Sequence, residues 1–107
     1  MEFTETIEFK GIEGDIEQNL LVSNDNEIEL IAKALSSSTR REILRLVRTE
    51  EIDVSKIAEY LEMTEANISA QIKRLEKAGL IRCFYTPGQH GVKKISKVTF
   101  NKLMFKI

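Results

Sequence analysis

Between residues 27 and 78, apolar residues recur at helical spacing in four stretches, the last two joined by about three residues. Two alternating segments around Pro87-Gly88 follow at once. These observations predict a mainly α fold with a small β component, a winged helix-turn-helix with a strand added at each end. At 107 residues the chain has the length of one domain. It divides into an N-terminal strand and acidic connection (1–26), the winged helix-turn-helix (27–99) and a C-terminal strand (100–107).

Each element has its own signal. Residues 3–10 alternate, with Phe3, Ile7 and Phe9 on one face and Thr4, Thr6, Glu8 and Lys10 on the other; Glu5 interrupts the apolar face. Gly11 and Gly14 loosen the chain. The triplet Leu20-Leu21-Val22 then fits either a short strand or a loop anchored on the core. Asn24, Asp25 and Asn26 offer caps for a first helix, whose inward stripe is read as Ile28, Ile31, Ala32 and Leu35. Ser36-Ser37-Ser38-Thr39 breaks that helix, and Thr39 is read as the cap of the next. There Ile43, Leu44 and Val47 face inward while Arg40, Arg41, Arg45 and Arg48 face out. Val54, Ile57, Ala58 and Leu61 form the stripe of a third helix, over residues 54–62. Thr64 caps a fourth, which carries Ile68, Ile72 and Leu75, runs to Ala78 and stops at Gly79. Beyond it lie a strand from Leu80 to Thr86, a turn at Pro87-Gly88, a returning strand from Val92 to Thr99, and β-rich sequence over 100–107.

Composition bounds the function. Hydrophobic residues at 42% and charged residues at 31% suit a soluble domain with a core. No apolar run approaches the roughly 18 residues of a membrane span. The opening Met1-Glu2-Phe3-Thr4-Glu5 is acidic, unlike a secretory signal. A single cysteine, Cys83, fits a reducing compartment, so a cytoplasmic protein is expected. The net charge of −1 hides a division: residues 1–30 carry nine acids and one base, whereas residues 64–107 carry nine bases and two acids. The second half thus offers a polyanion a local balance of +7. The plainer reading is an acidic flank that solvates one end of an ordinary domain.

Residues 54–79 carry the functional pattern. Ala58 takes the inward position where a second helix must cross closely. Opposite the apolar stripe of that second helix stand Asn67, Ser69, Gln71, Lys73 and Arg74. Short amides and hydroxyls can meet base edges in a major groove, and bases beside them can meet phosphates.

Residues 35–47, Leu-Ser-Ser-Ser-Thr-Arg-Arg-Glu-Ile-Leu-Arg-Leu-Val, resemble the Leu-x-x-x-Thr-Arg-x-x-Ile-Leu signature of ArsR-type (arsenical-repressor-like) winged-helix regulators. Residues 54–81, ending Leu75-Glu76-Lys77-Ala78-Gly79-Leu80-Ile81, resemble that family's reading helix and its entry into the wing. The resemblance spans roughly residues 27–99 and implies a DNA-binding repressor or activator, usually dimeric, from a family in which some members sense metals. The chain departs from those sensors. Where their thiol pair lies, it has Ile52-Asp53-Val54-Ser55-Lys56-Ile57, and Val98 to Phe105 replaces their C-terminal ligand helix. A non-metal-sensing variant is therefore expected, with no cofactor and with DNA affinity indifferent to zinc or arsenite.

The remaining candidates each have two readings. Cys83 and His90 are the only soft ligands, too few for a zinc site, so Cys83 reads as a small strand residue. His90, in the turn Pro87-Gly88-Gln89-His90-Gly91, either touches a minor-groove backbone or serves the turn. Lys93, Lys94 and Lys97 flank the wing tip and are read as phosphate contacts. Arg40 and Arg41 either brace the DNA backbone or pair with the acidic N-terminal region. Tyr60, Phe84, Tyr85 and Phe105 read as core or dimer surface. There is no phosphate loop, nucleophile elbow or general-base pair, so no enzyme is expected. The expected partners are double-stranded DNA, read by residues 64–78 and held by the wing of residues 80–99, and a second copy of the chain. The apolar terminal segments 3–9 and 98–107, with or without residues 27–35, would join the copies around a two-fold axis. A repressor is the expected regulator. The rival reading is a protein-interaction winged helix that reads no DNA.

Overall fold

The computed structural model describes residues 5–10, 16–89, 91–98 and 100–107. The expected positions Phe3, Thr4, Gly11, Gly14, His90 and Thr99 lie outside the described residues, as do the side chains of residues 5–18. The order of elements is β1 (Glu5–Lys10), β2 (Ile16–Val22), α1 (Asp25–Leu35), α2 (Ser38–Thr49), α3 (Val54–Leu61), α4 (Glu65–Lys77), β3 (Arg82–Gly88), β4 (Gly91–Lys97) and β5 (Lys102–Phe105).

Every helix begins on a side-chain oxygen that accepts from the backbone N–H three residues on, which satisfies a donor with no intrahelical partner. Asn24 serves α1, Ser37 serves α2, Asp53 serves α3 and Thr64 serves α4. The cap of α2 is thus Ser37, and Thr39 lies inside the helix; the break at residues 36–39 is shorter than its polar composition suggests. The α1 stripe also differs from expectation. Ile31 and Ala34 are buried while Ala32 is exposed, because the α1 face turned to α2 continues through Ala34. Ile43, Val47, Ile57, Ala58, Ile68, Ile72 and Leu75 complete one core, joined by Leu80 and Ile81. Ala58, 4% exposed, leaves room for α4 to cross α3 closely.

Two sheets flank the helices. β3 and β4 form an antiparallel hairpin that pairs Arg82 with Lys97 and Gly88 with Gly91. Pro87-Gly88 therefore belongs to β3 and not to the turn. Proline lacks an N–H, but both strands of a two-stranded ribbon are edges and tolerate it. Gly91, at φ 112°, supplies the backbone that closes the hairpin. The triplet Leu20-Leu21-Val22 proves to be the end of β2, with Leu20 and Val22 buried. The second sheet has the order β1-β2-β5: β1 pairs antiparallel with β2, and β5 runs parallel to β2 with Leu20 opposite Leu103. Val98, Phe100 and Leu103 lie partly buried against the core, so the C-terminal segment is folded onto the domain.

Candidate nucleic-acid interface

α4 divides cleanly. Ile68, Ile72 and Leu75 are fully buried, whereas Asn67, Ser69, Lys73 and Arg74 stand exposed on the other side. Thr64 is exposed at its start, and its Oγ1 accepts from the Asn67 N–H at 3.1 Å. Glu65 occupies the first turn, where the helix dipole favours a carboxylate. Gln71, half-buried, lies between this polar side and α2.

Gln71 is held by two neighbours. Its Oε1 accepts from the Arg40 guanidinium at 2.8 Å, and its Nε2 donates to Asn67 Oδ1 at 3.1 Å. Asn67 in turn directs its Nδ2 towards Met63 Sδ at 3.9 Å.

Arg40 does not face out. It is 7% exposed, and its Nε donates to Ala34 O at 2.6 Å and its Nη2 to Lys33 O at 3.2 Å. Half-buried Arg41 donates from Nη1 to Leu35 O at 2.6 Å. The last carbonyls of a helix have no intrahelical partner, and these guanidinium groups satisfy three of them on α1. A connection of two residues between α1 and α2 brings the arginines back over that end. This short link, rather than any charge pattern, was the sequence signal for an inward Arg40.

The wing lysines occupy the hairpin, each opposite an acid from the helical body. Lys93 Nζ stands 3.7 Å from Asp53 Oδ2, Lys94 Nζ 3.8 Å from Glu76 Oε1, and Lys97 Nζ 3.8 Å from Glu51 Oε1. Such long, partly exposed pairs are worth about 0–1 kcal/mol each and can be exchanged for other anions. Sequence reasoning missed the three acids because each lies far along the chain from the lysine it pairs with, and no spacing marks such a pair. Asp53 also forms a backbone bridge with Ile95, so the residue that caps α3 tethers β4.

Cys83, half-buried in β3, has its Sγ 3.7 Å from Ser96 Oγ, and burial pushes its thiol above the ordinary range. It is therefore a protonated thiol at neutral pH, packed beside a fully buried serine. Among the described residues no cluster of three or more His, Cys, Asp or Glu gathers to hold a metal. Tyr60, Phe84 and Tyr85 are exposed, so none belongs to the protomer core, and Lys56 Nζ lies 5.7 Å from the Tyr60 ring centre. No described helix is long and apolar enough to cross a membrane.

Residues 37–82, from the cap of α2 to the start of the wing, match the family model described as bacterial regulatory protein, arsR family. The match covers 46 of the 107 residues and likens this stretch to the ArsR family. Among solved structures, the chain is similar to the homodimeric winged helix-turn-helix DNA-binding domain of a possible ArsR-family transcriptional regulator from Mycobacterium bovis. That likeness has 25% identity and a TM-score of 0.61, and covers 68% of this chain and 64% of that one. The chain therefore spans somewhat under two thirds of the M. bovis fragment. Reduced HlyU from Vibrio cholerae shares the fold at 20% identity and a TM-score of 0.61, over 71% of this chain and 76% of that one. A transcriptional regulator homologue from Pyrococcus horikoshii shares it at 19% identity and a TM-score of 0.50, over 66% and 76% respectively. No curated protein sequence matches the chain.

Proposed function

We propose that this chain is a transcription regulator of the cytoplasm, a repressor that binds double-stranded DNA as a homodimer. α4 lies in the major groove, with Thr64, Asn67, Ser69 and Gln71 over base edges and Lys73 and Arg74 at phosphates. The wing holds the flanking backbone through Lys93, Lys94 and Lys97. The observation that carries the reading is the split of α4 into a fully buried apolar side and an exposed side of an amide, a hydroxyl and two bases, with half-buried Gln71 at its margin. The match of residues 37–82 to the ArsR family and the likeness to a homodimeric DNA-binding domain support it.

One observation favours the rival, a protein-interaction module: all three wing lysines already face carboxylates of their own chain, which lowers the field they offer a polyanion. Binding isotherms on selected and random duplexes at several salt concentrations separate the two. Alanine at Lys73, Arg74, Lys93 and Lys94 together should weaken binding to every duplex and flatten the log–log salt dependence by about one unit for each phosphate left without its cation. If the folded quadruple variant binds as the parent does, the DNA reading fails and the interaction module replaces it.

A further inference from the structure

The hydrogen-bonded series Arg40–Gln71–Asn67 has a direction that chemistry does not allow to be reversed. A guanidinium donates and never accepts, so the atom of Gln71 that meets Arg40 Nη1 at 2.8 Å must be the carbonyl Oε1. The guanidinium cannot turn away, because its Nε and Nη2 are held by the carbonyls of Ala34 and Lys33. The Gln71 amide nitrogen must then point along α4 to Asn67, 3.1 Å away, and the atom it meets there must be Oδ1. Asn67 is left to present its Nδ2. The orientation of two amides on the exposed side of the helix is thus set by a buried arginine on another helix, which is itself fixed by the end of a third.

The consequence is a surface biased toward donors. Both side-chain carbonyls already hold a donor from the protein. Each carbonyl keeps a second lone pair, but its direction is set by the donor it already holds, whereas the second hydrogen of Gln71 Nε2 and those of Asn67 Nδ2 stay available, one of the latter facing only the weak acceptor Met63 Sδ. A free asparagine or glutamine reads adenine by using its carbonyl and its amide together. These two have their carbonyls engaged and their amide planes fixed from behind.

Resting on the DNA reading proposed above, we infer that Arg40 is a positioning residue that makes Asn67 and Gln71 act as donors, so that α4 selects base edges rich in acceptors, guanine O6 and N7 foremost, over adenine and cytosine. Cytosine fares worst, since it turns its own N4 donor to the major groove.

The test is selection of bound duplexes from a random library, followed by isotherms that compare guanine, adenine and cytosine at the positions facing α4. The parent protein should favour guanine by about tenfold. Arg40→Met removes the fixed donor and frees the Gln71 amide to turn, so the preference for guanine over adenine should fall to about twofold or less. Arg40→Lys, still a donor only, should restore part of it. Because a buried arginine can matter for folding, thermal melts accompany these variants, and Gln71→Glu gives a second, surface-side test. A carboxylate there still accepts from Arg40 but cannot donate to Asn67, so Asn67 must present its carbonyl, and the preferred base should change from guanine to cytosine or adenine. A parent that selects no sequence at all overturns the DNA reading itself. A parent that selects guanine, with the preference unchanged in Gln71→Glu and in folded Arg40→Met, overturns the inference about Arg40 while leaving DNA binding intact. Adenine preferred by the parent overturns it as well.

Discussion

Glu62 stands in the left-handed backbone region, φ 54° and ψ 46°, as the C-cap of α3 in the turn that leads to α4. A side chain there brings its Cβ against the following carbonyl at a cost of about 1–2 kcal/mol. Glu62→Gly should therefore raise stability by about 0.5–1 kcal/mol, the relief being partly offset by the freer unfolded chain. Urea denaturation checks this: the midpoint should rise with an unchanged slope, and a fall would mean that the Glu62 side chain makes an interaction worth more than its strain. The comparison with Gly79 shows what single residues disclose in a sequence. Gly79, φ 78°, announced the end of α4, since glycine is the residue that suits that conformation. Nothing about a glutamate announces the same backbone, and the turn fixes it through the packing of α3 on α4. Arg40 was misread for a similar reason. An arginine on a polar helix face reads as solvated, and only the position of the α1 carbonyls makes it a buried donor.

At the scale of elements, the wing and the helices meet through Asp53, Glu51 and Glu76, and this meeting sets how much positive charge the wing offers. Asp53→Asn with Glu51→Gln and Glu76→Gln should free Lys93, Lys94 and Lys97 without unfolding the domain, since asparagine caps α3 as well as aspartate does. Affinity for random duplex should then rise about tenfold at low salt and fall more steeply as salt is added. Unchanged affinity and slope in an isotherm series would show that the wing lysines do not reach the DNA backbone. Helix positions were legible because a buried stripe at helical spacing leaves a direct trace, as Ile68, Ile72 and Leu75 do in α4. The hairpin turn was misplaced by a Pro-Gly pair, because a ribbon of two edges lets proline sit within a strand opposite Val92. The ion pairs were illegible, since pairing across the fold has no spacing to read.

At the scale of the molecule, the termini close the fold together. The alternation of residues 3–10 and the β-rich tail marked two strands, but no local pattern could show that β5 would lie parallel to β2 across the intervening four helices and wing. In the described residues β5 is one of the two outer strands of that sheet, with Met104 45% and Phe105 38% exposed and Ile107 fully exposed at the end. An edge of this kind, short and apolar, is a template for pairing with another chain. The proposed homodimer would use it: a two-fold axis beside β5 would set the two β5 strands antiparallel and cover Met104 and Phe105 from both copies. Lysine on an edge opposes such pairing, so Met104→Lys with Phe105→Lys should weaken dimerisation at least tenfold while leaving the helical circular dichroism intact. Sedimentation velocity over a concentration series reads the change. The same variant should lose affinity for a two-half-site duplex far more than for a single half-site, because the linkage between the two recognition helices is gone. A variant that stays dimeric would place the interface away from β5, and α1 would then be the element to disrupt next.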